Sequence, residues 1–94
     1  MDTSLISQIQ QIIAPVRPAG SKLFIFGSRA RGTNRKFSDI DLGVEGQKKL
    51  SPKEYLALIT SLDDSDLPYK VDVVDFSTVT DNFRQIAKQN TIQI

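Results

Sequence analysis

The chain contains no cysteine and no histidine. Without thiols there is no disulfide scaffold, no cysteine nucleophile and no thiolate metal site. Without imidazole, Ser-His-Asp hydrolysis and the usual zinc centres are excluded as well. Any chemistry must therefore run on carboxylates, hydroxyls, lysine, arginine or a metal held by oxygen. Long apolar runs are also missing, and none approaches the roughly 18 residues of a membrane span. Met1-Asp2-Thr3-Ser4 has neither the basic nor the apolar region of a signal peptide. The expectation is a cytoplasmic protein without membrane contact. A large net charge is lacking too: 12 Lys and Arg against 11 Asp and Glu leave +1, too little to indicate nucleic-acid binding by itself. What remains is 94 residues, 39% of them hydrophobic, the size of one small domain over residues 1–94 with a single core.

What is present is concentrated between residues 23 and 42. The apolar strand Leu23-Phe24-Ile25-Phe26 runs into Gly27-Ser28-Arg29-Ala30-Arg31-Gly32, the pattern of a strand that turns directly into a helix. Such a turn can hold an anion. The first N–H groups of a helix have no intrahelical partner, Gly27 lets the backbone approach a ligand, and Ser28 can cap the helix or donate to a phosphate oxygen. Ser38-Asp39-Ile40-Asp41-Leu42 comes next. If it is extended, Asp39 and Asp41 share one face and Ile40 and Leu42 the other. Two neighbouring carboxylates raise one another's pKa unless a cation lies between them. Magnesium suits that place, because it takes one or two carboxylates together with substrate phosphate oxygens.

The remaining segments read as a frame for this stretch. Leu5, Ile6, Ile9, Ile12 and Ile13 make a helical stripe, with Asp2, Thr3 or Ser4 available as cap, and Pro15 and Pro18 ending the helix. Residues 22–26 form a strand apolar enough to be buried on both faces. A short helix over 28–31 ends at Gly32; 33–37 is a polar loop and 40–44 a second strand. Ser51, Pro52 and Glu54 give a capping-box start to a helix carrying Tyr55, Leu56, Leu58, Ile59 and Leu62. Asp63, Asp64 and Asp66 form a solvated loop that lacks the EF-hand ligand pattern. In the strand 70–75, Val71 and Val73 take one face and Asp72 and Val74 the other. A carboxylate midway along such a strand is costly to bury without a partner, so Asp72 joins Asp39 and Asp41 as a candidate; Asp75, at the strand end, can remain in water or cap the next segment. A last helix starts at Ser77 or Thr78 and runs to about Gln89, with Val79, Phe83, Ile86 and Ala87 inward. Residues 91–94 alternate apolar and polar, as an edge strand or a contact for another chain would.

Each feature has a plain alternative. Gly27 and Gly32 have Walker A spacing, but Thr33 and Asn34 stand where the lysine and hydroxyl residue of a P-loop belong, so this is no P-loop. Arg29 and Arg31 can clamp phosphate oxygens, but arginines on a short exposed helix are usually only solvated. Tyr55 and Tyr69 read as packing residues.

Taken in order, Gly27-Ser28, Ser38-Asp39-Ile40-Asp41-Leu42 and Lys70-Val71-Asp72-Val73-Val74 resemble the minimal nucleotidyltransferases of the DNA polymerase beta superfamily, over most of the chain from about residue 4. The resemblance implies an α/β domain of polymerase-beta-like fold, a mixed sheet of three or four strands with helices mainly on one face. It implies transfer of a nucleoside monophosphate, AMP from ATP in the first instance, to an acceptor hydroxyl. Asp39 and Asp41 would hold two Mg2+ ions, with Mn2+ as the alternative metal. Asp72 would bind the second ion and help deprotonate the acceptor, while Gly27 and Ser28 hold the β/γ-phosphates. Family members often act with an all-helical HEPN protein as the antitoxin of a toxin–antitoxin pair. The rival expectation is a binding module, either an inactive relative that docks on a partner or a small nucleic-acid binder using Arg29, Arg31, Arg35 and Lys36. Assembly with further copies of the chain is left open by the sequence.

Overall fold

The computed structural model describes residues 1–33, 35 and 38–94. Asn34, Lys36 and Phe37, the middle of the polar loop expected over 33–37 and one cation of its basic cluster, lie outside the described residues. Helix α1 (Thr3–Ile13) is capped by Asp2, whose carboxylate accepts from the Ser4 amide at 2.9 Å, and a 3-10 turn, Ala14–Val16, leads it into the prolines. Strand β1 (Lys22–Phe26) is followed by the single helical turn α2 (Ser28–Arg31) and then by β2 (Ile40–Glu45). Helix α3 (Pro52–Asp63) has the expected capping box, with Ser51 and Glu54 each satisfying the other's backbone N–H. Strand β3 (Val71–Asp75), helix α4 (Asp81–Ala87) and the short β4 (Ile92–Gln93) complete the chain.

The strands form one sheet in the order β3-β2-β1-β4. β1 is antiparallel to β2 and β4, while β2 and β3 are parallel, with α3 as the crossover between them. The sheet is therefore mixed and four-stranded, and the tail is an edge strand. Ile94 donates to Leu23 O at 3.0 Å, and Arg17 to Ile94 O at 3.0 Å.

Strand β1 is buried on both faces as its composition requires. Leu23 and Ile25 join Leu42, Val44, Val71 and Val73 under Leu5, Ile9 and Ile13 of α1 and Leu58 and Leu62 of α3. Phe24 and Phe26 turn the other way and pack with Phe76, the three rings lying 4.8–6.2 Å apart at steep angles. Full burial of one such ring is worth about 1.5–3 kcal/mol. Gly43 opens the space for this second cluster: a Cβ there would stand 2.5 Å from Phe24 and 2.8 Å from Phe76.

Two expectations fail at the last helix. It starts at Asp81 behind the cap Thr80, not at Ser77 or Thr78. The amide and hydroxyl of Ser77 both donate to Asp75 Oδ1, at 2.9 and 2.7 Å, and Thr78 Oγ1 donates to Asp75 O at 2.8 Å. The segment is held as a turn by side chains that compete with helical hydrogen bonds. Nor are Phe83 and Ile86 inward. They are 41% and 56% exposed, and α4 meets the phenylalanine cluster through Ala87 and the edge of Phe83.

Candidate active site

The site occupies the sheet face that carries Phe24 and Phe26, at the C-terminal end of β1 and the N-terminal ends of β2 and β3. Register places it there. Asp41 is the Cα partner of Phe26 on one side and of Asp72 on the other, so its carboxylate and that of Asp72 stand side by side on one face. Asp39 lies two residues ahead of Asp41, just before β2 begins, and is exposed.

Opposite Asp41 is Gly27. Its φ of 76° is a conformation that favours glycine, but space adds a second reason. A Cβ built on Gly27 would collide with Asp41 Oδ2 and stand 3.4 Å from Asp41 Cγ. The backbone at the corner and the carboxylate are thus in contact, and any side chain at residue 27 would push them apart. Gly27 itself is the cap of α2, with no side-chain hydrogen bond at the helix start, so the capping role expected of Ser28 is not used.

Electrostatics mark Asp41 out. Burial, followed by the charges of Asp72 and then Asp39, pushes its carboxyl above the ordinary range, and Arg31 pulls weakly the other way. Two neighbouring carboxylates thus bear on a third that is partly removed from water. Lys70 is 3.5 Å from Asp72, but its side chain is largely in water and that of Asp72 is half-buried, and an ion pair so open to solvent contributes little.

This donor set fits a hard divalent cation: all oxygen, crowded with like charge, and facing a corner that no side chain fills. Among the described residues no three such side chains are gathered into a ready ion cage. The set is two in-register carboxylates and a third one step ahead, which matches the partial shell magnesium takes when phosphate oxygens and water supply the rest.

The two arginines part company. Arg31 is exposed and close enough to act on Asp41. Arg29 is buried, 6% exposed, with Nη2 donating to Ser38 O at 2.7 Å and its guanidinium 4.4 Å above the Tyr69 ring. It is neither the solvated residue nor the outward phosphate clamp that the sequence suggests. Tyr69 packs against the core as expected and is also the platform of Arg29, whereas Tyr55 is not packed away; it is 40% exposed.

A mixed sheet with paired aspartates opposite a glycine corner is the arrangement of polymerase-beta-type nucleotidyltransferases. The family model for polymerase beta nucleotidyltransferases matches residues 7–94, and the chain belongs to that family. It is similar to the Haemophilus influenzae protein called "Probable protein adenylyltransferase MntA", 36% identical over 70 residues, or 71% of this chain. The match spans 59% of that relative's length. Among solved structures, a toxin–antitoxin complex with AMP-PNP superposes with a TM-score of 0.74 at 26% identity, over 93% of this chain and 69% of that one. A Shewanella oneidensis complex of tri-AMPylated HEPN toxin with MNT antitoxin gives a TM-score of 0.71 at 22% identity, over 99% and 71% of the two chains. At that identity the likeness speaks for the fold. Among the described residues, no helix is long and apolar enough to cross a membrane.

Proposed function

We propose that the chain is a minimal nucleotidyltransferase that moves AMP from ATP to a hydroxyl of a HEPN-type partner protein, as the antitoxin of a toxin–antitoxin pair in the cytoplasm. The observation that carries this is the contact of Gly27 with Asp41 beside in-register Asp72, on a face whose neighbouring carboxylates suit a metal-bound triphosphate. The adenylyltransferase name of the H. influenzae relative and the AMP-PNP in the 26%-identical complex support the choice of nucleotide and reaction.

In this proposal Asp39, Asp41 and Asp72 would hold divalent cations, Mg2+ or Mn2+. Such ions, when bound, neutralise phosphate charge and polarise the reacting oxygens. The backbone N–H groups of the Gly27 corner and the Ser28 hydroxyl donate to the β/γ-phosphates, and Arg31 adds a charge-assisted contact. Asp72 accepts the proton of the acceptor hydroxyl. The acceptor oxygen then bonds to the α-phosphorus, the bond from that phosphorus to the bridging oxygen breaks, and pyrophosphate leaves. The toxin–antitoxin pairing in the 26%-identical complex with AMP-PNP supports assigning the acceptor to a partner.

Two measurements test it. Calorimetric titration with Mg-ATP should show magnesium-dependent binding of one nucleotide, lost in Asp39→Asn. Incubation with the HEPN-type partner and Mg-ATP should raise the partner's mass by whole AMP increments. Asp39→Asn, Asp41→Asn and Asp72→Asn should each cut transfer by about a hundredfold or more. Wild-type transfer by Asp72→Asn would reduce that residue to a strand position. Binding with a steep salt dependence and no need for magnesium would instead favour a nucleic-acid module.

A further inference from the structure

Arg29 is buried at considerable cost. A guanidinium is always charged, and removing it from water is unfavourable unless its donors are satisfied. Its Nε is nonetheless buried without a hydrogen-bond partner. Among the described residues it makes one short bond, 2.7 Å to Ser38 O, and one stacking contact, 4.4 Å to the Tyr69 ring centroid.

Those two contacts bracket the site. Ser38 immediately precedes Asp39, and Ile40, immediately after it, donates to Lys70 O at 2.9 Å. Lys70 in turn follows Tyr69. Asp39 therefore sits on a backbone tethered on both sides: residue 38 to α2 through Arg29, and residue 40 to the entry of β3. Three residues beyond Tyr69 on that strand is Asp72. Ser38 is fixed further by Arg35, its hydroxyl accepting from Arg35 N at 2.9 Å and its amide donating to Arg35 O at 3.1 Å.

We propose that Arg29, clamped on Tyr69 and bonded to the Ser38 carbonyl, is a positioning residue that sets the spacing of the Asp39 and Asp72 carboxylates against the Gly27 corner. The claim rests on the function proposed above and adds to it which residue keeps the exposed Asp39 in register. Misplacement of a reacting group by about 1 Å can cost on the order of a hundredfold in rate, so a rigid tie at this point has chemical value.

The test uses Arg29→Met, which keeps the bulk and loses the bond, Arg29→Lys, and Tyr69→Leu, which removes the platform. Each is monitored by Mn2+ binding in electron paramagnetic resonance, ATP binding at saturating Mn2+, and hydrogen exchange of the Ile40 amide. Arg29→Met and Tyr69→Leu should weaken Mn2+ binding fivefold or more and speed Ile40 exchange tenfold or more. ATP affinity at saturating Mn2+ should stay within threefold of wild type, and Arg29→Lys should fall between. Unchanged Mn2+ binding and exchange would make Arg29 a packing residue and overturn the proposal. ATP affinity that stays depressed at saturating Mn2+ would make it a phosphate ligand and overturn it equally. If wild type binds neither Mn2+ nor ATP, the nucleotidyltransferase function fails, and Ile40 exchange alone still decides whether the strut exists. Should Arg29→Met not fold, Tyr69→Leu supplies the same three readings.

Discussion

At the scale of single residues, Gly27 and Gly32 are constrained to different degrees. Both have a positive φ, 76° and 75°, but ψ separates them: it is −152° at Gly27, a region essentially closed to other residues, and 17° at Gly32, the left-handed helical region; α2 lies between them. A Cβ on Gly32 would meet nothing within 4 Å, whereas one on Gly27 would strike the Asp41 carboxylate. Gly32→Ala should therefore cost about 1 kcal/mol, the conformational term alone. Gly27→Ala should cost about 1–3 kcal/mol more, from its more restrictive backbone conformation and the contact together, and should also abolish Mg-ATP binding, which Gly32→Ala should leave within a few-fold of wild type. Urea unfolding and calorimetry on the two variants measure the stability and the binding losses. Equal losses of stability would mean that the corner tolerates a methyl group and that the contact with Asp41 is not constraining. The glycine was visible in the sequence as a turn residue; its contact with a residue fourteen positions on was not, because only strand register brings them together.

The elements show where local pattern is sufficient. The capping box at Ser51, the two-sided apolar run of β1 and the alternation of Asp72 with Val71 and Val73 are properties of neighbouring residues, and each appears in the fold as the pattern requires. Arg29 could have been placed better. Residues i and i+2 of a helix do not share a face, so Arg29 and Arg31 on the single turn α2 could not both reach the same phosphate. Asking where the inward one would go leads to the chain on either side of Asp39, though not to Tyr69, forty residues on, because that contact depends on the β2–β3 pairing. The late start of α4 was hidden for another reason: Ser77 and Thr78 are good caps in isolation, but Asp75 captures both. The surviving cap is Thr80, whose hydroxyl accepts from Phe83 N at 3.2 Å. Thr80→Ala should cost about 1 kcal/mol. Phe83 belongs to this short helix and also touches Phe26 and Phe76, so the same change should loosen the helix specifically. Faster amide exchange over 83–87 than over β1 would show it; a uniform change would mean that α4 unfolds only with the whole domain.

For the molecule as a whole, two carboxyls at opposite ends of the sheet's parallel pair make opposing contributions to stability. In Asp41, burial and then the neighbouring Asp72 and Asp39 raise the folded-state pKa above 3.8. As pH rises from 3.8 through that folded value, the native state holds a proton the unfolded chain has already released, so stability falls and the cost persists at neutral pH. In Asp75, burial alone would raise the pKa. The amide of Leu50 at 2.8 Å, the hydroxyl and amide of Ser77 and the charge of Lys49 outweigh it and hold the folded value below 3.8. Its contribution is complete above 3.8 and is lost as pH falls through the folded pKa. Asp41→Asn should therefore melt higher than wild type at neutral pH, and the gain should vanish in acid. Asp75→Asn should melt lower at neutral pH, by about 1–3 kcal/mol of stability, with the pH-dependent part of that deficit shrinking in acid. Magnesium separates the roles further. If Asp41 helps to hold it, Mg2+ with ATP should raise the melting temperature of wild type and of Asp75→Asn but not of Asp41→Asn, because only a ligand of the native state shifts the unfolding equilibrium. Melting curves across pH, with and without Mg-ATP, give all of these signs in one series. A melting temperature for Asp41→Asn below wild type at pH 7 would mean that this carboxylate stabilises the fold, and its place at the centre of the site would then have to be explained by structure alone.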